Sequence, residues 1–154
     1  MLTEDSLYDL ARIYATDINE AVLQRAQAGV FPIDKMRDYT ENYIRAGGRR
    51  SFSEYYLAKY EGALFERTLT ENVVWAPHNL VQDRAFNEFN LILCRNVMIH
   101  FGAELRCRVH ALLDDSLVRL GVLGLGTHES LRGSGFEELD EVLDDEARLF
   151  RRLG

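Results

Sequence analysis

Asp17 closes a short, partly β-branched run, Ala11-Arg12-Ile13-Tyr14-Ala15-Thr16-Asp17, and stands two residues before Asn19, a residue suited to capping a helix. A carboxylate at the end of a strand and just ahead of a helix can accept hydrogen bonds from both vicinal hydroxyls of a ribose. Doubly wound folds hold adenosine cofactors in this way. The same acid can instead organise the turn or cap the helix one position early, and spacing leaves both roles open. Arg95 and Asn96 leave a second, strongly apolar run, Phe89-Asn90-Leu91-Ile92-Leu93-Cys94, and lead into Val97-Met98-Ile99-His100-Phe101. An arginine there, partly desolvated, needs an anion, and its guanidinium fork fits a carboxylate bidentately. That anion is a ligand in one reading and a structural acid of the chain in the other. Asn79-Leu80 offers an amide and a backbone edge to a flat heterocycle. His100, on an apolar stretch, reads either as a packed histidine or as a base.

Other chemistries find no support. His78, His100, His110 and His128 lack metal-ligand spacing. No G-x-S-x-G elbow and no phosphate-binding Walker loop occurs. Neither Gly47-Gly48 nor the glycines from Gly121 to Gly126 supply G-x-G-x-x-G between a strand and a helix. The second group sits inside a strand, where glycine is expected to permit close helix packing.

The elements that must carry these residues follow from periodicity. Leu2, Leu7 and Leu10 predict the end of a helix, and residues 11–17 a strand. A helix begins after Asn19, with Ala21, Val22, Leu23 and Ala26 on its apolar side, and ends at Gly29 before Pro32. A second helix is expected from Asp34 to Ala46, and a short one in the aromatic segment Ser51 to Tyr60, whose rings read as core. Strands are expected at Gly62–Thr68, Val73–Ala76, Phe89–Cys94 and Gly121–Thr127, with a helix from Ala103 to Arg119. Phe89–Cys94 reads as a strand covered on both faces. Phe136 to Leu153 reads as two strands or a strand and a helix, with seven acids between Glu137 and Glu146 as a solvated face. Strands alternating with helices imply a largely parallel α/β sheet, with ligands at the carboxyl ends of the strands. Those ends are Asp17, Asn79-Leu80, Arg95-Asn96 and His128-Glu129.

The 154 residues have the length of one domain. With 47% apolar and 28% charged residues the composition is that of a globular protein. Twenty-five acids against 18 lysines and arginines give a net charge of −7, which argues against nucleic acid as the main partner. No apolar run reaches the roughly 18 residues that a membrane helix needs, so membrane insertion is not expected. Nor is there a basic segment followed by a cleavable apolar core. Cys94 and Cys107 are too few for a disulfide framework and fit a reduced cytoplasmic setting.

The segments ATDINEAVLQRAQAGVF, PHNL, FNLILCRNVMIHF and GVLGLGTHESL, in this order and spacing, resemble the chemotaxis-receptor glutamate methyltransferases (the CheR type). CRNVMIHF is the most specific of them and ATDIN the second. The resemblance runs from residue 2 to the end and covers only that family's second half. It implies an S-adenosylmethionine-dependent methyl transfer to glutamate side chains of a chemoreceptor-like protein. By the same resemblance Asp17 would hold the cofactor ribose, Asn79 and Leu80 would border the adenine, and Arg95 and Asn96 would lie beside the methionine moiety and the incoming carboxylate. His100 stands where the family usually has tyrosine; with Arg95 it completes the catalytic pair implied. A small antiparallel β-subdomain is expected at roughly Tyr60 to Thr70, its loop too short for a receptor-tethering peptide.

The chain departs from the family pattern at its start. It has neither the strand and glycine-rich turn of the kind GCSTGEE nor the family's N-terminal helical domain. The expected fold class is therefore an incomplete doubly wound, mostly parallel Rossmann-like sheet lacking its first βα unit. Residues 1–154 then form one partial methyltransferase domain, expected to be functionally incomplete and to bind the cofactor weakly without the glycine-rich turn, as a piece of a longer enzyme or the product of a misplaced start. The missing strand would lie between the Ala11–Asp17 and Phe89–Cys94 strands, and a homodimer could fill its place. The alternative function is a non-catalytic signalling module with the same fold.

Overall fold

A computed structural model describes residues 1–136 and 140–154. The chain forms two compact units, Met1–His78 and Asn79–Gly154.

In the first unit, strand β1 (Ile13–Asp17) runs parallel to β5 (Val73–Pro77), in register from Ile13 opposite Val73 to Asp17 opposite Pro77. Helix α1 (Glu20–Ala28) follows β1. The Asn19 side chain accepts from Ala21 N at 2.9 Å, and Gly29 ends the helix in the left-handed region at φ +67°, both as the sequence predicts. Helix α2 (Met36–Arg45) comes after a short turn and buries Met36 and Tyr43. Strands β2 (Val30–Pro32), β3 (Tyr56–Lys59) and β4 (Gly62–Phe65) make an antiparallel sheet in the order β2-β4-β3. This sheet takes a strand from each side of α2, so the antiparallel part is wider than the expected Tyr60–Thr70.

The aromatic segment forms a 3-10 turn, Phe52–Tyr55, and then β3, rather than one helix. Phe52 lies 5.2 Å from Tyr43 and 5.8 Å from Phe65, centroid to centroid, and Tyr55 is buried. Tyr60 is the exception to the core reading: it is exposed at the β3–β4 turn with φ +54°. The N-terminal residues form turns and a 3-10 segment, Tyr8–Leu10, with Leu2, Leu7 and Leu10 exposed, so their helical spacing buries nothing. What holds this segment is Glu4. Its carboxylate accepts from the hydroxyls of Tyr43 and Tyr55, and from Arg49 N at 2.9 Å.

In the second unit, β6 (Phe89–Cys94) pairs parallel with β7 (Leu117–Leu125). The sheet then continues antiparallel through β9 (Leu149–Arg152) to β8 (Asp140–Asp144), in the order β6-β7-β9-β8. The C-terminal segment thus contains two strands; residues 137–139, part of its acidic run, lie outside the described residues. Helix α3 (Ala103–Asp115) stops four residues before the expected end, because Leu117 and β-branched Val118 belong to the sheet and Phe89 N donates to Ser116 O at 2.8 Å. Val109, Leu113, Leu117, Leu123, Leu125 and Phe150 form the centre of the core.

Three expectations change here. Of the six strand pairings among the described residues, only β1–β5 and β6–β7 are parallel, so the fold is mixed α/β rather than mostly parallel. Strand β6 is not covered on both faces, since Leu91 and Leu93 are 54% and 65% exposed. The tight approach at Gly124 comes from Leu93 of the neighbouring strand, 2.7 Å from where a Cβ would sit, and not from a helix.

Candidate functional site

The site residues expected from sequence, His100 apart, lie at or just beyond strand ends, and local hydrogen bonding decides what each has left to offer. Asp17 ends β1. Its main-chain carbonyl accepts from His78 N at 3.1 Å, and its Oδ1 accepts from Asn19 N at 2.8 Å. The turn-organising role is therefore real, but it uses one oxygen. No donor among the described residues meets Oδ2, which leaves the half-buried carboxylate an acceptor for a hydroxyl ligand.

Asn79 opens the second unit in a tight turn. Its Oδ1 accepts from Val81 N at 3.0 Å and its own N donates to Asp83 Oδ2 at 2.7 Å. The carboxamide oxygen is committed, so its NH2 group is what Asn79 can present. Leu80 packs against the core and helps to line a cavity of about 530 Å³ with Arg84, Arg108 and Ala111.

Arg95 and Asn96 leave β6 in sequence, and both are exposed. The partial desolvation expected of Arg95 does not occur. Its guanidinium forms no ion pair among the described residues, and its fork is available to an outside anion. Asn96 adopts φ +59°, a left-handed conformation that asparagine tolerates better than most residues. A 3-10 turn, Met98–His100, then buries Met98 and leaves His100 exposed, which rules out the packed-histidine reading.

Glu129 is the residue whose weight sequence reasoning missed; it was visible only as one of four strand ends. It lies just beyond β7, 6% exposed, and binds the main chain of the Arg95 segment. A signal was present: Glu129 is the single acid between Asp115 and Glu137, just after a buried strand. Beside it, Met98, Ile99, Arg106, His110, His128 and Arg132 line a cavity of about 380 Å³. Cys94, at the end of β6, is inert: burial first, and the charge of Glu129 second, push its thiol up to about 12. No cluster of metal-ligating side chains occurs among the described residues.

The carboxyl ends of parallel strands are where α/β folds commonly take their ligands. Residues 1–144 match the family described as CheR methyltransferase, SAM-binding domain, and the chain belongs to that family. S-adenosylmethionine is the family's cofactor. The chain is 43% identical over 152 residues to the "Putative methyltransferase Cher3" of Pseudomonas putida, covering 99% of this chain and 56% of that protein. It is 33% identical over 120 residues to a chemotaxis protein methyltransferase of Listeria innocua, covering 77% of this chain and 42% of the relative. With the corresponding protein of Vibrio parahaemolyticus it shares 32% over 128 residues, or 79% and 42%. The chain thus spans about half the length of the curated relatives it matches.

Proposed function

We propose that the chain is the cofactor-binding part of a cytoplasmic protein-glutamate O-methyltransferase whose substrate is a chemoreceptor-like protein. Bound S-adenosylmethionine supplies a methyl group activated on a sulfonium sulfur. Asp17 holds the ribose through the oxygen that the turn leaves open, and Asn79 and Leu80 border the adenine. Arg95 and Asn96 hold carboxylates, that of the cofactor's amino-acid part or that of the substrate glutamate. A glutamate is already ionised at neutral pH, so the chain needs no strong base; its task is to bring carboxylate oxygen and methyl carbon into line. His100 stands in the place of the family's tyrosine and contributes an imidazole edge there. No helix among the described residues is long and apolar enough to cross a membrane, which is compatible with work on a receptor's cytoplasmic part.

The observation that carries this reading is the uncommitted Oδ2 of Asp17. Calorimetry with S-adenosylhomocysteine tests it. Micromolar binding to the chain is expected, weakened at least tenfold by Asp17→Ala, with circular dichroism unchanged because Asn19 still caps α1. No heat from the wild-type chain would point instead to a non-catalytic signalling module built on the same fold.

A further inference from the structure

Glu129 carries a carboxylate into a nearly closed site and forms no ion pair among the described residues, although Arg106 and Arg132 line the same cavity. A charge so placed is costly unless its lone pairs are met. They are met by main-chain amides: Oε1 accepts from Met98 N at 2.7 Å, and Oε2 accepts from Asn96 N at 2.8 Å and from Gly126 N at 2.7 Å. Its own N donates to Gly126 O at 2.9 Å, closing the turn from β7. Converging main-chain N–H groups form an anion nest, and here the anion is built into the chain.

The surroundings are shaped for this arrangement. Asn96 adopts φ +59°, and the amides of residues 96 and 98 both reach the one carboxylate. Gly126 has to lack a side chain, because a Cβ there would lie 2.4 Å from Asn96 Oδ1 and 2.7 Å from both Asn96 N and Glu129 Oε2. Stability alone does not call for such a device, since apolar packing commonly serves as well as a buried charge. What the clamp does is tie the segment that follows β6 to the end of β7.

We propose that Glu129 is a positioning residue: it fixes the main chain that carries Arg95 and Asn96, and through it the groups that receive the cofactor and substrate carboxylates. The role in positioning rests on the methyltransferase reading above; the clamp itself does not.

Amide hydrogen exchange on the full chain, wild type against Glu129→Gln, tests the clamp without any ligand. Glutamine offers one carbonyl oxygen and turns an NH2 group toward a donor, so at least one amide loses its partner. Exchange at Asn96, Met98 and Gly126 is expected to accelerate tenfold or more, with protection in α3 and β9 retained. Unchanged exchange at all three amides overturns the clamp, and loss of protection throughout Asn79–Gly154 reduces Glu129 to a purely structural residue. Calorimetry with S-adenosylhomocysteine then tests positioning. Glu129→Gln is expected to weaken binding at least tenfold, and its effect is expected to be non-additive with that of Arg95→Ala, because both act on one segment. Local loosening with unchanged affinity, or strict additivity, overturns the positioning role. A wild-type chain that binds nothing overturns the methyltransferase reading and positioning with it, while the exchange result still decides the clamp.

Discussion

Glu4 ties the N-terminal turns to the aromatic cluster, and it does so most strongly when ionised. The Tyr43 hydroxyl first, then the Tyr55 hydroxyl and Arg49 N–H, hold its carboxyl at about 2, against an ordinary value of 4.5. A depressed carboxyl contributes stability that is complete above 4.5 and is lost as pH falls through about 2. Asp140 acts in the opposite sense. Burial, then the negative charge of Asp114, raise it to about 6 against an ordinary 3.8, with Arg152 opposing. Its contribution is complete below 3.8 and lost as pH rises through about 6. Urea midpoints measured from pH 2 to 8 are expected to show both limbs. Glu4→Gln should flatten the acid limb and lower the midpoint at pH 7, whereas Asp140→Asn should flatten the fall between pH 4 and 6 and raise the midpoint at pH 7.

Helix α3 and strand β7 carry the core of the second unit, and their value lies in complete burial. Leu113 is 4% exposed among Val109, Leu117 and Leu125, so Leu113→Ala is expected to cost about 2–5 kcal/mol in urea unfolding. Val142 on β8 is half exposed, and Val142→Ala should stay within about 0.5 kcal/mol. Most elements were legible because apolar periodicity and caps agreed: Asn19 and Gly29 bracket α1, and FNLILC is β6. Legibility failed where non-local pairing decided. Val30–Pro32 and Tyr56–Lys59 are strands because each pairs with Gly62–Phe65, and no local pattern announces such partnerships. Leu2, Leu7 and Leu10 had the spacing of a helix face, but no core receives them.

The open edges of the sheets bear on how the protein exists in solution. Within its unit, β1 pairs only with β5, and within its own unit β6 pairs only with β7, so each presents a row of main-chain donors and acceptors among the described residues. Beside the β6 edge stand the exposed Leu91 and Leu93. Unpaired apolar strands of this kind recruit further strands. A second copy is the expected partner, and light scattering at low micromolar concentration should give twice the chain mass, with Leu93→Lys returning it toward the monomer. A monomeric wild type would refute this pairing. Of the candidate site, the residue types at the strand ends could be read from sequence, since the carboxyl-end rule points at Asp17 and Arg95. The division of labour among their atoms could not, because it depends on which main-chain amides each carboxylate meets. That division has a practical corollary for Glu129. A grip made entirely on amides is indifferent to what hangs from the exposed positions 95 and 97, so those identities can be exchanged for a new specificity while the backbone frame stays as it is. Adding or deleting one residue between 94 and 98 would misalign the amides and undo the frame even if each original side chain survived.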